Sequence, residues 1–530
     1  MPKFNSRGTR PVGRGPVVTE RIASGRTHGG GAGYAREAKG ELFLLSVSNM
    51  VGEATFYERA SERDERFRQL VGAVAVADPT WMVGFVGWLR TEANMRSAAV
   101  VAALEAARAR RAAGLHGHSR RMVDAAIQRA DEPGEALAYW TSRYGRSIPK
   151  PVKRGIGDAV LRLGTEFNYV KWGGEGKGFS FADVLNLTHP GDRKGGSQGH
   201  RFRGPWQHDL FGYAVKRPHQ PDAAIPDSLD LLTRRDVLLS LPVDERRQVL
   251  EDPELLRRAG ITWEALAGWL QGSMNAAAWE AIIPSMGYMA LIRNLRNFDE
   301  AGVSDAVAEQ VCAKLTDPDQ VQRSRQLPMR FLSAYRAAPS LRWGYALEKA
   351  LNLCLTNVPP LPGRTLVLVD QSGSMSTRMS GRSELTYADA AQIFGAGLAL
   401  RAEAADLVQF DTDHAVVPMR RGDSVLRIAE RFWGPRGGTW TRHAVQAHYR
   451  GHDRVVIVTD EQVSHRSGSP IEQLPNTVPI YTWNLAGYRH GHGPSGTGNR
   501  HTFGGLSDAA FRMIPLIEAG RAAAWPWEQG

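Results

Sequence analysis

Between residues 34 and 357 apolar side chains recur every three to four positions, the period of a helix that buries one stripe. Residues 74–89, 97–113, 120–130, 159–168 and 279–297 all follow this pattern and predict helices. Turn signals break it at short intervals: Asp78-Pro79, Gly114, Asp131-Glu132-Pro133, Gly164, Pro242, Pro253 and Gly260. Short helices following one another without strands predict an array of helical pairs. With a HEAT-like unit of ~40–47 residues, the stretch holds about seven units. Residues 191–226 are rich in Gly, Pro, His and Arg and predict a long loop inserted into the array. Residues 1–33 are basic and Gly-rich with few large apolar side chains, and predict a disordered arm.

The pattern changes after a Pro-rich linker at residues 358–363. Nearly continuous apolar runs at 365–369, 407–410 and 454–459 end at Asp370, Asp411 and Asp460. A further strand is predicted at 478–485, and helices at 385–405, 424–432 and 507–519. Strands apolar on both faces and alternating with helices predict a parallel sheet covered on both sides, a doubly wound domain over residues 364–530.

Charge adds a second asymmetry. The chain of 530 residues carries a net +11. Residues 361–530 hold 17 Arg, no Lys and 16 acidic residues, so the excess lies in the helical part. Residues 143–203 alone hold 12 basic and 5 acidic side chains. A concentrated positive field suits a polyanion such as nucleic acid, and equally a solvated surface with no specific partner. Lys171, Lys177, Arg193, Lys194, Arg201 and Arg203 lie there with Tyr169, Trp172 and Trp206 between them. Cations neutralise phosphates, and aromatic rings can stack unpaired bases. The two cysteines, Cys312 and Cys354, exclude a disulfide framework and a Cys-based zinc site and fit a reducing cytoplasm. No secretory leader and no membrane-length apolar run is visible.

The clearest chemistry is Asp370-Gln371-Ser372-Gly373-Ser374, at the carboxyl end of the first predicted strand. Doubly wound sheets place ligands at that edge. One aspartate and two hydroxyls are hard oxygen donors, suited to Mg²⁺, Mn²⁺ or Ca²⁺ rather than zinc. Thr439 follows Gly437-Gly438, and Asp460 ends another strand, so both reach the same edge. A plain Ser/Gly turn after a buried strand is the competing reading. In this order the residues resemble a von Willebrand factor A domain with a metal-ion-dependent adhesion site. The resemblance implies that Ser372, Ser374 and Thr439 touch the metal, most often Mg²⁺, while Asp370 and Asp460 act through water. It also implies an open coordination position for a partner's carboxylate. Trp440 stands where the Ro-type pattern has an acidic residue, which leaves the ligand preference open.

The helical part resembles the TROVE domain. Ile283-Pro284-Ser285-Met286 followed by Leu291-Ile292-Arg293-Asn294-Leu295-Arg296-Asn297 is similar to its "MP…ALLRNL" helix. Val311-Cys312-Ala313-Lys314-Leu315 with Arg325-Gln326-Leu327-Pro328, and Phe181 to Pro190, match further segments. TROVE followed by a von Willebrand A domain is the arrangement of the Ro autoantigen family. That resemblance implies an α-helical HEAT-like repeat ring, monomeric and cytoplasmic, that is not an enzyme. Small noncoding Y-like RNA would bind its basic outer surface. Single-stranded 3′ ends of structured or misfolded RNA would enter its hole, and an exoribonuclease would be tethered to it. By family position His189 and Lys171 are the first RNA contacts to expect, with Arg193, Lys194, Arg201, Arg203, Lys177 and Trp172 beside them.

Two other classes remain open on the sequence alone. One is a metal-dependent adhesion or assembly factor whose basic face meets an acidic protein. The other is a two-metal nuclease using Asp370, Asp411, Asp413 and Asp460, disfavoured because hydroxyls rather than bridging carboxylates dominate the motif. His490, His492 and His501 lie in a Gly-rich stretch, residues 486–505, that predicts a mobile surface loop in preference to a transition-metal site.

Overall fold

The computed structural model describes residues 13–528, except 49–50, 174–177, 192–201, 357, 421, 472–473 and 520–523. From Ala38 to Cys354 the described residues form nineteen α-helices. Helices stack on their next-but-one neighbours: Ala60–Ala77 on Arg96–Ala112, Pro79–Thr91 on Ser119–Ala126, and Ser119–Ala126 on Lys150–Leu163. This is the pairing expected of a helical-repeat array. The predicted helix over 74–89 is two helices. Asp78 ends the first and caps the second by accepting from the Trp81 N–H at 3.0 Å, with Pro79 in the first turn.

The array returns on itself through the C-terminal domain. Helix Ala38–Ser48 packs on strand Arg500–Gly504, whereas Met329–Ala337 and Leu341–Cys354 pack on helices Tyr387–Arg401 and Val425–Ala429. Arg336 bridges to Asp389 at 2.7 Å. Trp527, near the C-terminus, inserts among Trp81, Phe85 and Trp88. Both ends of the array thus meet one domain, which closes it into a ring.

Nine strands are present among the described residues: β1 (Gly25–Arg26), β2 (Ala32–Ala35), β3 (Leu361–Asp370), β4 (Ala402–Phe410), β5 (His414–Val416), β6 (Arg454–Thr459), β7 (Ile480–Asn484), β8 (His490–Gly491) and β9 (Arg500–Gly504). The main sheet runs β5-β4-β3-β6-β7-β9, parallel except for β5. Its alternating side chains enter two cores: Val367, Val369, Val456 and Val458 on one face, Leu366, Leu368, Val455 and Ile457 on the other. Helix Tyr387–Arg401 covers one side and Thr441–His448 the other. A strand buried on both faces reads as a continuous apolar run, which is why β3 and β6 were visible in the sequence.

Four expectations need correction. Residues 13–33 of the expected disordered arm lie on the C-terminal domain: β1 and β2 form a small sheet with β8, and the Thr27 hydroxyl donates to the Val463 carbonyl at 2.7 Å. The partners are some 430 residues away, so no local pattern announces them; residues 1–12 lie outside the described residues. The linker 358–363 is shorter, because Leu361 already pairs with Ala402 in β3, and Gly363 takes φ 78° at the irregularity that follows. The loop 191–226 contains helix Pro205–Lys216, held by buried Gln207, Leu210, Phe211, Tyr213 and Ala214. The 486–505 stretch is no surface loop: it supplies β8 and β9, with His492 and His501 buried.

Candidate metal centre and nucleic-acid interface

At the carboxyl edge of β3, β4 and β6 the five sequence-predicted metal residues are brought together, all buried. Asp370 accepts from the Thr459 hydroxyl at 2.6 Å and from the Ser372 N–H at 2.8 Å. The Ser372 and Ser374 hydroxyls lie 3.3 Å apart. Asp460 accepts from the Gln462 N–H at 2.9 Å and from Ser374. The glycine loop that carries Thr439 is laid over the motif: Gly373 N–H donates to Gly437 O, and Arg436 N–H to Gln371 O.

The electrostatics ask for a cation. Burial raises the Asp370 carboxyl, with a further push from Asp411; burial and then repulsion from Asp370 raise Asp460. The charged neighbours acting most strongly on these two carboxylates are themselves carboxylates: Asp411 on Asp370, and Asp370 and Glu461 on Asp460. Asp411 is itself paired with Arg436 at 2.9 Å. Two enclosed carboxylates, two serine hydroxyls and a threonine therefore form a donor set that fits a hard divalent ion. Asp413 is exposed and is bonded to Asp411 through its backbone, its N–H donating to the Asp411 carboxylate at 2.6 Å and its carbonyl accepting from the Asp411 N–H at 2.8 Å, so the four-aspartate arrangement of the nuclease reading is not assembled.

Sequence reasoning missed Tyr57, which comes from the helical part. Its hydroxyl is hydrogen-bonded to Ser374, its ring stacks on His28 at 4.9 Å, and Tyr488 packs edge-on. Burial, then the Asp460 charge, raises its pKa.

A second concentration of charge lies inside the ring. A cavity of about 700 Å³ opens between the early and late helices, with Arg90, Asn94, Arg96 and Arg129 on one wall and Arg325 and Arg330 on the other. The early arginines are tethered: Arg90 and Arg96 share Glu132 at 2.7 and 3.0 Å, and Arg129 holds Asp131 at 2.5 Å. Arg325 and Arg330 have no acidic partner among the described residues. Withdrawal from water, then repulsion from Arg293, lowers the Arg330 pKa. Arg325 sits in the left-handed region at φ 51°, at the end of helix Pro318–Ser324.

Residues 256–342, which hold Arg293, Arg325 and Arg330, match the TROVE domain model. The solved structure of the Ro protein of Deinococcus radiodurans superposes with a TM-score of 0.59 at 18% identity, over 91% of this chain and 99% of that one. The chain has the Ro fold and carries a TROVE-domain match within it. RNA-binding protein RO60 of Caenorhabditis elegans is 25% identical over 259 residues, 41% of this chain and 40% of that protein. RNA-binding protein RO60 of Deinococcus radiodurans is 31% identical over 139 residues, 23% and 26% of the two chains. The alignments therefore span less than half the length of these relatives. The C-terminal α/β domain is consistent with a von Willebrand A fold.

Within the helical ring, the predicted RNA residues are spread along neighbouring helices. His189 is exposed and ends helix Phe181–Thr188 with φ 47°, its N–H bonded to Leu185 O at 2.9 Å. Arg203 is exposed and donates to Arg162 O at 3.2 Å. Lys171 lies over Phe167 and Trp172, 5.5 and 5.2 Å from the ring centroids. Trp172 also receives Arg129 at 4.8 Å, which joins it to the cavity wall rather than to His189. Lys177, Arg193, Lys194 and Arg201 lie outside the described residues.

Proposed function

We propose that this chain is a non-catalytic RNA-binding scaffold. The observation that carries the reading is the arginine-lined cavity where the two ends of the helical array face each other, with Arg325 and Arg330 uncompensated. A single-stranded RNA end supplies the missing negative charge, and its bases can lie against Met289 and Leu327 in the same walls. On the outer face His189 and Arg203, with Lys171 toward the ring, are assigned to a small structured RNA of the Y type. The names of the RO60 relatives support this reading, and in it the chain tethers an exoribonuclease rather than cutting RNA itself. The metal centre is assigned Mg²⁺, with Mn²⁺ or Ca²⁺ as substitutes, and binds a protein carboxylate. Crosslinking RNA that co-purifies with the full chain tests the reading. Crosslinked peptides are expected from residues 289–330 and 166–203; crosslinks confined to residues 364–528 would overturn it.

A further inference from the structure

Away from the ring cavity, a second hollow of about 580 Å³ opens on the helical part, between the turn after helix Arg96–Ala112 and the segment entering helix Lys150–Leu163. Its floor is apolar: Leu115, Ile148, Pro149, Pro151 and Val152. Leu115 is 39% exposed, unusual for a leucine with a hollow beside it to fill. Arg111, Arg121, Lys150 and Arg154 stand around it, all exposed, and none has an acidic partner among the described residues. Arg120 also lines it, but is committed to Asp158 at 2.5 and 2.9 Å. No acidic side chain lines the hollow. The buried Ser119 adds a hydroxyl to the wall.

An apolar floor under a rim of four free cations matches the two halves of a nucleoside phosphate. The volume falls within the ~300–1,000 Å³ of small-molecule sites. The surroundings identify the source. Helix Lys150–Leu163 is about 20 Å long by its rise per residue and leads from this hollow toward two groups already assigned to RNA. Arg154 and Gly157 lie three apart on one face of it, and a Cβ on Gly157 would lie 3.7 Å from Pro190, next to His189. At its far end Arg203 bonds the Arg162 carbonyl.

We propose that this hollow receives one unpaired nucleotide of a bound RNA, the base against Leu115 and Ile148 and the phosphate among Arg111, Lys150 and Arg154. The proposal rests on the RNA-binding reading above. Full-length protein would be titrated by anisotropy with a hairpin RNA carrying an unpaired nucleotide and with its fully paired counterpart, and by calorimetry with AMP. Leu115→Glu should weaken the bulged hairpin tenfold or more and the paired one less than threefold. Arg111→Glu with Arg154→Glu should weaken both and lower the slope of log affinity against log salt by roughly 1.4–1.8. All three positions are exposed, and circular dichroism checks the fold. If wild type binds the hairpins and every variant matches it within twofold, the hollow assignment is wrong while the RNA reading stands. If AMP binds and is lost in the variants while hairpin affinity is unchanged, the hollow serves a free nucleotide and the assignment is overturned. If wild type binds neither hairpin, both readings fall.

Discussion

Arg36 and Glu461 form an ion pair closed off from water, their side chains 0% and 1% exposed. Glu461 directly follows the metal-centre residue Asp460 and takes φ 63°. It also accepts from Asn484 and, at 3.3 Å, from the His492 N–H. Burial pushes its carboxyl up, but Arg36 and then His492 and Asn484 outweigh burial and leave it below the usual range. Arg36 itself is fixed by donating to Tyr488 O at 2.6 Å. Arg36, just after β2, therefore holds the loop that presents Asp460.

Removing the cation strands a buried carboxylate. Arg36→Ala is expected to destabilise the protein by about 3–5 kcal/mol, the penalty for breaking a buried pair. Urea unfolding of the full chain measures it; a loss under about 1 kcal/mol would mean the pair is not integral to the fold.

The metal assignment is tested in the intact chain, because the arm and helix Ala38–Ser48 complete the C-terminal domain. Asp370→Ala with Ser372→Ala should abolish Mg²⁺ or Mn²⁺ binding by calorimetry. The helical circular-dichroism signal should persist. Unchanged divalent affinity in the double variant would refute the site.

In the ring cavity, Arg325→Glu with Arg330→Glu should weaken binding of an oligonucleotide with a free single-stranded end. The slope of log affinity against log salt should fall by roughly 1.4, near 0.7 per lost phosphate contact on single strands. Affinity and slope both matching wild type would place the strand elsewhere.

His501 supplies a pH dependence. Burial, then the neighbouring Arg500, pushes its pKa down to about 4. Neither ring nitrogen has a hydrogen-bond partner among the described residues. Unfolded, the imidazole takes a proton near pH 6.5; folded, it resists until about pH 4. The stability it contributes is therefore complete above about pH 6.5 and is lost as pH falls through the folded value, a difference of roughly 3 kcal/mol. His501→Phe, which keeps a ring stacked on Tyr481, should flatten the decline in melting temperature between pH 7 and 4. A decline as steep as wild type's would assign acid sensitivity to other groups.

The Asp370–Ser374 part of the candidate metal centre was legible because it is compressed into five residues at the end of a strand whose two buried faces give an apolar run. The arginine cavity was not, since Arg90 and Arg325 meet only when the array closes. β9 was hidden for another reason: Arg500, His501 and Thr502 are polar yet buried, so no apolar run marks them. Helix Pro205–Lys216 was obscured by its flanks, although Leu210, Phe211 and Ala214 repeat at helical spacing. Tyr57 could not be placed at the metal centre from sequence, because nothing local links residue 57 to Ser374.

RNA is assigned to the helical ring and not to the metal. Binding of a structured RNA with a single-stranded 3′ end should be followed by anisotropy against salt, with Mg²⁺ and with EDTA. Binding should be steeply salt-dependent, with an affinity that changes by less than threefold, ~0.7 kcal/mol, when the metal is removed. Failure to bind at low salt, or a tenfold loss in EDTA with the fold intact, would contradict it.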